Sequence, residues 1–132
     1  AFSLLELIFA ILIIGIISSF AIPKFVNSKD TAVATTIKRD IVTATSAVQT
    51  YVLTQGDITK LTDAMTLNTS NWKVDKLTAT FEDDESTCVK MQVVDTSGNI
   101  TFEVSMEESN NGSVCKKLRE DHSVTSRSYE MY

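Results

Sequence analysis

Few side chains in this 132-residue sequence are of a kind that does chemistry. There is one histidine, His122, so neither a catalytic triad nor a histidine-based zinc site can be assembled. No glycine-rich phosphate loop and no nucleotide motif occurs. The sequence therefore offers no catalytic residue and calls for no cofactor, and an enzyme is the poorest reading. Glu82-Asp83-Asp84-Glu85 is a run of four acids. Carboxylate oxygens are what calcium takes, which makes the run a weak metal candidate. Its spacing fits no known calcium loop, and the preferred reading is a solvated turn between strands. Cys88 and Cys115 are the only cysteines. In an exported chain they are expected to pair; the alternative is two buried free thiols. Closing that loop would stabilise the fold by roughly 3–4 kcal/mol on the chain-entropy model.

The carboxyl group in the least ordinary place is Glu6. It heads an apolar run in which the 17 residues from Leu7 to Pro23 carry no charge. As a helix that stretch is ~25 Å long, close to the hydrocarbon thickness of a bilayer, with Phe2, Leu4, Leu5 and Phe25 to extend it. A charged carboxylate at the edge of the hydrocarbon costs a few kcal/mol and persists with a partner or a function. Gly15 and Pro23 also interrupt the run. An anchor alone needs none of the three. Ser19-Phe20-Ala21 would serve as a signal-peptidase site, but a secretory signal has a basic segment before its apolar run, and here the first charge is acidic.

The arrangement resembles the N-terminus of type IV pilins and the related pseudopilins. The likeness lies in Phe2-Ser3-Leu4-Leu5-Glu6-Leu7, in Gly15 nine residues after Glu6, and in Ala21-Ile22-Pro23 leading into Lys24-Phe25. It covers residues 1–25; the rest of the chain matches in general layout only. In the family the processed chain usually starts with the aromatic residue and the acid is fifth, whereas here Ala1 precedes Phe2 and Glu6 is sixth. Either the prepilin peptidase leaves one extra residue, or the mature chain starts at Phe2. The resemblance implies a structural subunit with a methylated N-terminus. It would be held in the inner membrane, then polymerised by pilus assembly machinery into a homopolymeric filament on the cell surface. It further implies that the α-amino group at Ala1 or Phe2 of one copy lies beside Glu6 of the next, neutralising both and fixing the register. The other member of the resemblance is a pseudopilin of a type II secretion or DNA-uptake system. The loop signature of the major pseudopilin is not evident in residues 57–77.

The elements that would position these residues follow from periodicity. Residues 1–26 read as a transmembrane and polymerisation helix and 27–132 as a globular domain. All 12 Lys and Arg and 16 of the 17 acids lie at or after Lys24, a balance that argues against nucleic acid as a direct partner. Val33, Ile37, Ile41, Ala44, Val48 and Val52 form one apolar stripe on an amphipathic helix over 27–55, with Gly56 as a stop. The two halves make one long helix, residues 2–55. Gly15–Ala21 is its part most able to bend or melt, because Pro23 removes one hydrogen bond and pushes on the Ser19 carbonyl while Gly15 has low helix propensity. Extending that segment in a filament would lengthen each subunit by about 10 Å. Phe2, Phe9, Phe20, Phe25 and Tyr51 along this helix are read as packing groups. Residues 56–76 are a connector, in which Asp57 caps a short helix through Met65 and Trp72 plugs the core. From 77 to 132 the period becomes two: Leu77–Phe81, Val89–Val93 and Ile100–Met106 alternate as half-buried strands, the last two joined by a turn at Thr96-Ser97-Gly98-Asn99. Glu107–Ser113 is a polar loop, Val114–Glu120 a short strand or a helical turn, and the C-terminal segment a tail or an edge strand. The expected class is α+β, with a long N-terminal helix packed on a small antiparallel sheet.

Overall fold

A computed structural model describes residues 1–131; Tyr132, the end of the C-terminal segment, lies outside the described residues. Helix α1 spans Leu4–Gln55, 52 residues, or ~78 Å at ~1.5 Å per residue. It starts two residues later than the hydrophobic pattern alone suggests. Ser3 is extended (φ −77°, ψ 156°) and its hydroxyl accepts the Glu6 N–H at 3.2 Å, so Ser3 is the N-cap and residues 1–3 lie outside the helix. The helix ends at Gly56, whose φ of 88° suits a residue without Cβ and lets its N–H reach the Val52 carbonyl at 2.9 Å.

Through Gly15–Ala21 and past Pro23 the helix is unbroken. Melting of 15–21 is thus not a property of the single chain. Nothing outside the helix is near enough there to take over freed N–H and C=O groups, so the backbone keeps its own bonds. The Ser19 hydroxyl is likewise turned inward, donating to the Ile16 carbonyl at 2.7 Å.

The second half of α1 buries one stripe: Ala34, Ile37, Ile41, Ala44, Val48 and Val52. Against it lies a five-stranded antiparallel sheet whose strands neighbour one another in chain order: β1 Trp72–Asp75, β2 Thr78–Asp83, β3 Ser86–Thr96, β4 Asn99–Met106 and β5 Arg127–Glu130. Its inner face supplies Ala79, Phe81, Val89, Met91, Val93, Ile100, Phe102 and Val104 to the core. A stripe on the helix and a face on the sheet bury each other, as two-layer packing requires. Short helix α2, Leu61–Ala64, and helix α3, Ser113–Glu120, close the flanks, α3 through Val114, Cys115 and Leu118. Asp57 does not cap α2; that place is held by Lys60, whose N–H donates to Asp63 Oδ2 at 3.0 Å.

Two strands exceed the three that alternation predicts. Strand β1 lies within the connector and pairs Trp72 with Phe81. Trp72 fills the core as expected, and its Nε1–H also donates to Asp40 Oδ2 on α1 at 2.8 Å, which settles the one polar atom of a buried ring. Strand β5 makes the C-terminal segment an edge strand on β4.

Candidate functional site

The first half of α1 touches nothing else in the chain. From Phe2 to Val26 this end of the chain presents 16 large apolar side chains, each at least 52% exposed and Phe2 83% exposed. The helix is long and apolar enough to cross a membrane. An apolar area of this extent on a protein surface marks a place made to be covered.

Glu6 occupies the third position of the helix, beside the Ser3 cap. Ser3-Leu4-Leu5-Glu6 is a capping-box pattern, and only its first half forms: Ser3 Oγ takes the Glu6 N–H. An acid in the first turn also meets the positive end of the helix dipole, an interaction of about 0.3–1 kcal/mol. These local roles are a second reason for an acid here, and the spacing of Ser3 and Glu6 was the signal for it. They do not use the carboxylate in full. No hydrogen bond or ion pair to its oxygens occurs among the described residues. Ala1 and Phe2 precede the helix and are exposed, at the same end as Glu6.

Gly15 has no role in the single chain. A Cβ built on it meets no atom within 4 Å, so alanine would fit and would favour the helix by roughly 0.5–1 kcal/mol. Further along, the outer surface of α1 is rich in hydroxyls that are already satisfied. Ser28, Thr31, Thr35, Thr36, Thr50 and Thr54 each donate to the carbonyl one turn earlier, at 2.8–3.0 Å. Such a surface can be covered by an apolar partner without stranding donors.

The acidic run lies elsewhere, at the turn between β2 and β3. Glu82 and Asp83 end β2, while Asp84 (φ 54°) and Glu85 (φ 60°) form the two-residue turn into β3, the dihedral signature of a type I′ hairpin. Glu82 pairs with Lys73. Asp83 Oδ2 accepts the Cys115 N–H at 2.9 Å, capping α3 from another element. Among the described residues no three His, Cys, Asp or Glu side chains are grouped to hold a metal ion. Among the four acids Glu82 serves an ion pair, Asp83 a cap, and Asp84 and Glu85 the turn.

Around that cap sits a junction that the sequence hid. The N-cap position of α3 is Gly112, which has no side chain to cap with, and a Cβ there would collide with the Asp83 carboxylate. Asn110, 4% exposed, donates through Nδ2 to the Asp83, Ser86 and Thr87 carbonyls and accepts the Gly112 N–H at 2.8 Å. The Cys88–Cys115 disulfide, with Cα atoms 5.7 Å apart and both residues fully buried, ties β3 to α3 beside it. Disulfide, Asn110 and Asp83 together fix the base of the β2–β3 hairpin to α3.

Comparisons of the chain with protein-family models, with curated proteins and with solved structures give no match.

Proposed function

We propose that this protein is a structural filament subunit of the type IV pilin kind, held in a membrane through residues 1–26 and polymerised by packing that half-helix against copies of itself. The observation that carries the reading is the coincidence of 16 exposed apolar side chains with an unpartnered carboxylate at Glu6 on the same free half-helix. Burying a large apolar side chain removed from water stabilises by ~1.5–3 kcal/mol. Sixteen of them outweigh an association cost of about 4–15 kcal/mol. Lipid covers the same side chains equally well, so apolar burial does not by itself favour the filament over the membrane. Pairing Glu6 with the amino group of a neighbouring copy does, because both charges are otherwise poorly accommodated near hydrocarbon. The self-satisfied hydroxyls on the second half of α1 let that half take part without stranding their donors.

The contact is heterologous, the amino terminus of one copy against Glu6 of another, and such contacts propagate without closing. The test is electron microscopy of material sheared from cells that make the wild-type chain or Glu6→Ala. Wild type should give fibres, and Glu6→Ala should give none while still accumulating in the membrane. Absence of wild-type fibres with loss of a secretion activity would move the reading to a pseudopilin.

A further inference from the structure

We propose that the cleft between α1, β4 and the C-terminal segment is a socket for the acidic β2–β3 turn of a second copy of this chain. The proposal rests on the filament reading and names a contact between the globular domains within it. The cleft has a volume of about 340 Å³ and is lined by Lys38, Ile41, Val104, His122, Arg127 and Tyr129, among others, with no acid in its wall. In a chain of net charge −5 that is an unusual place. Lys38 Nζ donates once, to the His122 carbonyl at 2.8 Å, and an ammonium has three donors. Arg127 bonds through Nε to Thr125 Oγ1 at 3.3 Å. Neither cation of the cleft has a carboxylate partner among the described residues. His122 lines the cleft, and its Nε2 is buried with no hydrogen-bond partner among the described residues.

The complementary group is on the same chain but out of its own reach. Of the four consecutive acids, Glu82 and Asp83 are engaged by Lys73 and Cys115. Asp84 and Glu85 are exposed at the tip of the tight turn, with no hydrogen bond or ion pair from either side chain. The turn joins β2 to β3, whereas Arg127 lies on β5 at the far edge of the sheet. One chain cannot close the contact on itself. Two copies can, head to tail, and a head-to-tail contact propagates along a filament. The turn is also pre-ordered: its base is held by the Asp83 cap, by Asn110 and by the disulfide, which reduces the ordering cost of docking. A cleft of this size is at the small end of binding pockets. It admits a turn tip with two carboxylates and excludes a helix. Two cations facing two anions add specificity of register between neighbouring heads.

The test is zero-length carbodiimide coupling on the full chain, mixed from isotopically labelled and unlabelled copies, in sheared filaments and separately in densely loaded lipid vesicles. The expected product is an amide from Lys38 to Asp84 or Glu85 that joins a labelled copy to an unlabelled one. Glu85→Lys, read through the Lys38–Asp84 amide, should lower the yield about tenfold; Lys38→Glu removes the amine and sets the background; and the two together, which exchange amine and carboxylate between positions 38 and 85, should restore an amide between those positions to within about threefold of wild type. Both positions are exposed, and formation of the Cys88–Cys115 bond in each variant reports that the domain has folded. Coupling in vesicles with no filaments would keep the contact and overturn the filament reading. Filaments with no such inter-copy amide, or no rescue in the double variant, would overturn the socket. So would protection of Lys38 by inorganic phosphate alone with no adduct between copies.

Discussion

Replacing Gly112 by alanine should destabilise the globular domain, and removing the Asp83 carboxylate should abolish most of that cost. The added methyl would land on the Asp83 carboxyl group and 3.0 Å from Asn110 Oδ1. The backbone itself accepts alanine there, since φ is −56° and ψ 150°. The penalty is therefore steric and local. Asp83 must withdraw, so the Cys115 N–H and the start of α3 lose their cap, a loss of about 1–2 kcal/mol. Any residual overlap with the buried Asn110 adds strain of about 1 kcal/mol or more. Gly112→Ala should cost about 2–3 kcal/mol, Asp83→Ala about 1–2 kcal/mol, and the double variant about 1 kcal/mol more than Asp83→Ala alone, well short of the sum of the two. Urea unfolding of the oxidised full chain in detergent, followed by Trp72 fluorescence, measures all three. Additive costs, or a harmless Gly112→Ala, would refute the assignment of Asp83 as the cap.

Labelling of the unfolded, unreduced protein should find no free thiol, and Cys88→Ser with Cys115→Ser should lower stability by about 3–4 kcal/mol in the same assay, reducing subunit accumulation before assembly. Trp72→Phe keeps the ring burial but strands Asp40, and should cost about 1–2 kcal/mol; an unchanged urea midpoint would show that the indole hydrogen bond contributes nothing. Gly15→Ala with Pro23→Ala should leave the membrane form helical and make filaments stiffer under load, because the single chain gives neither residue a packing role that alanine lacks. Unchanged extensibility in a single-filament pulling experiment would show that residues 15–21 do not melt.

The pattern of apolar residues carried most of the fold. The stripe from Ile37 to Val52 and the alternation in Val89–Val93 and Ile100–Met106 each report a one-sided environment, and each is buried on the expected side. What alternation misses is short or mixed. Trp72-Lys73-Val74-Asp75 has too few residues to show a period, and β5 is an edge strand with only Tyr129 half-buried. Contacts between remote polar residues left still less trace. Asp83 reads as one more acid in a run and Asn110 as one more polar loop residue, yet their partners lie 32 and 27 residues away. The one available hint was Gly112 before an amphipathic segment, a helix start without a capping side chain of its own. At the N-terminus the apolar run and the places of Glu6, Gly15 and Pro23 were fully legible. The Ser3 cap was legible as well, through the Ser-x-x-Glu spacing, but the apolar run obscures it by suggesting a helix from residue 2.

The central claim is that Glu6 is neutralised by the amino terminus of another copy. The most direct measurement is a filament structure determined by electron cryomicroscopy at side-chain resolution. The account predicts the Glu6 carboxylate of each subunit within about 4 Å of the α-amino nitrogen of a neighbour, with residues 2–26 enclosed by other helices. A filament in which Glu6 faces solvent, or bonds only to the Ser3 N–H of its own chain, would contradict it.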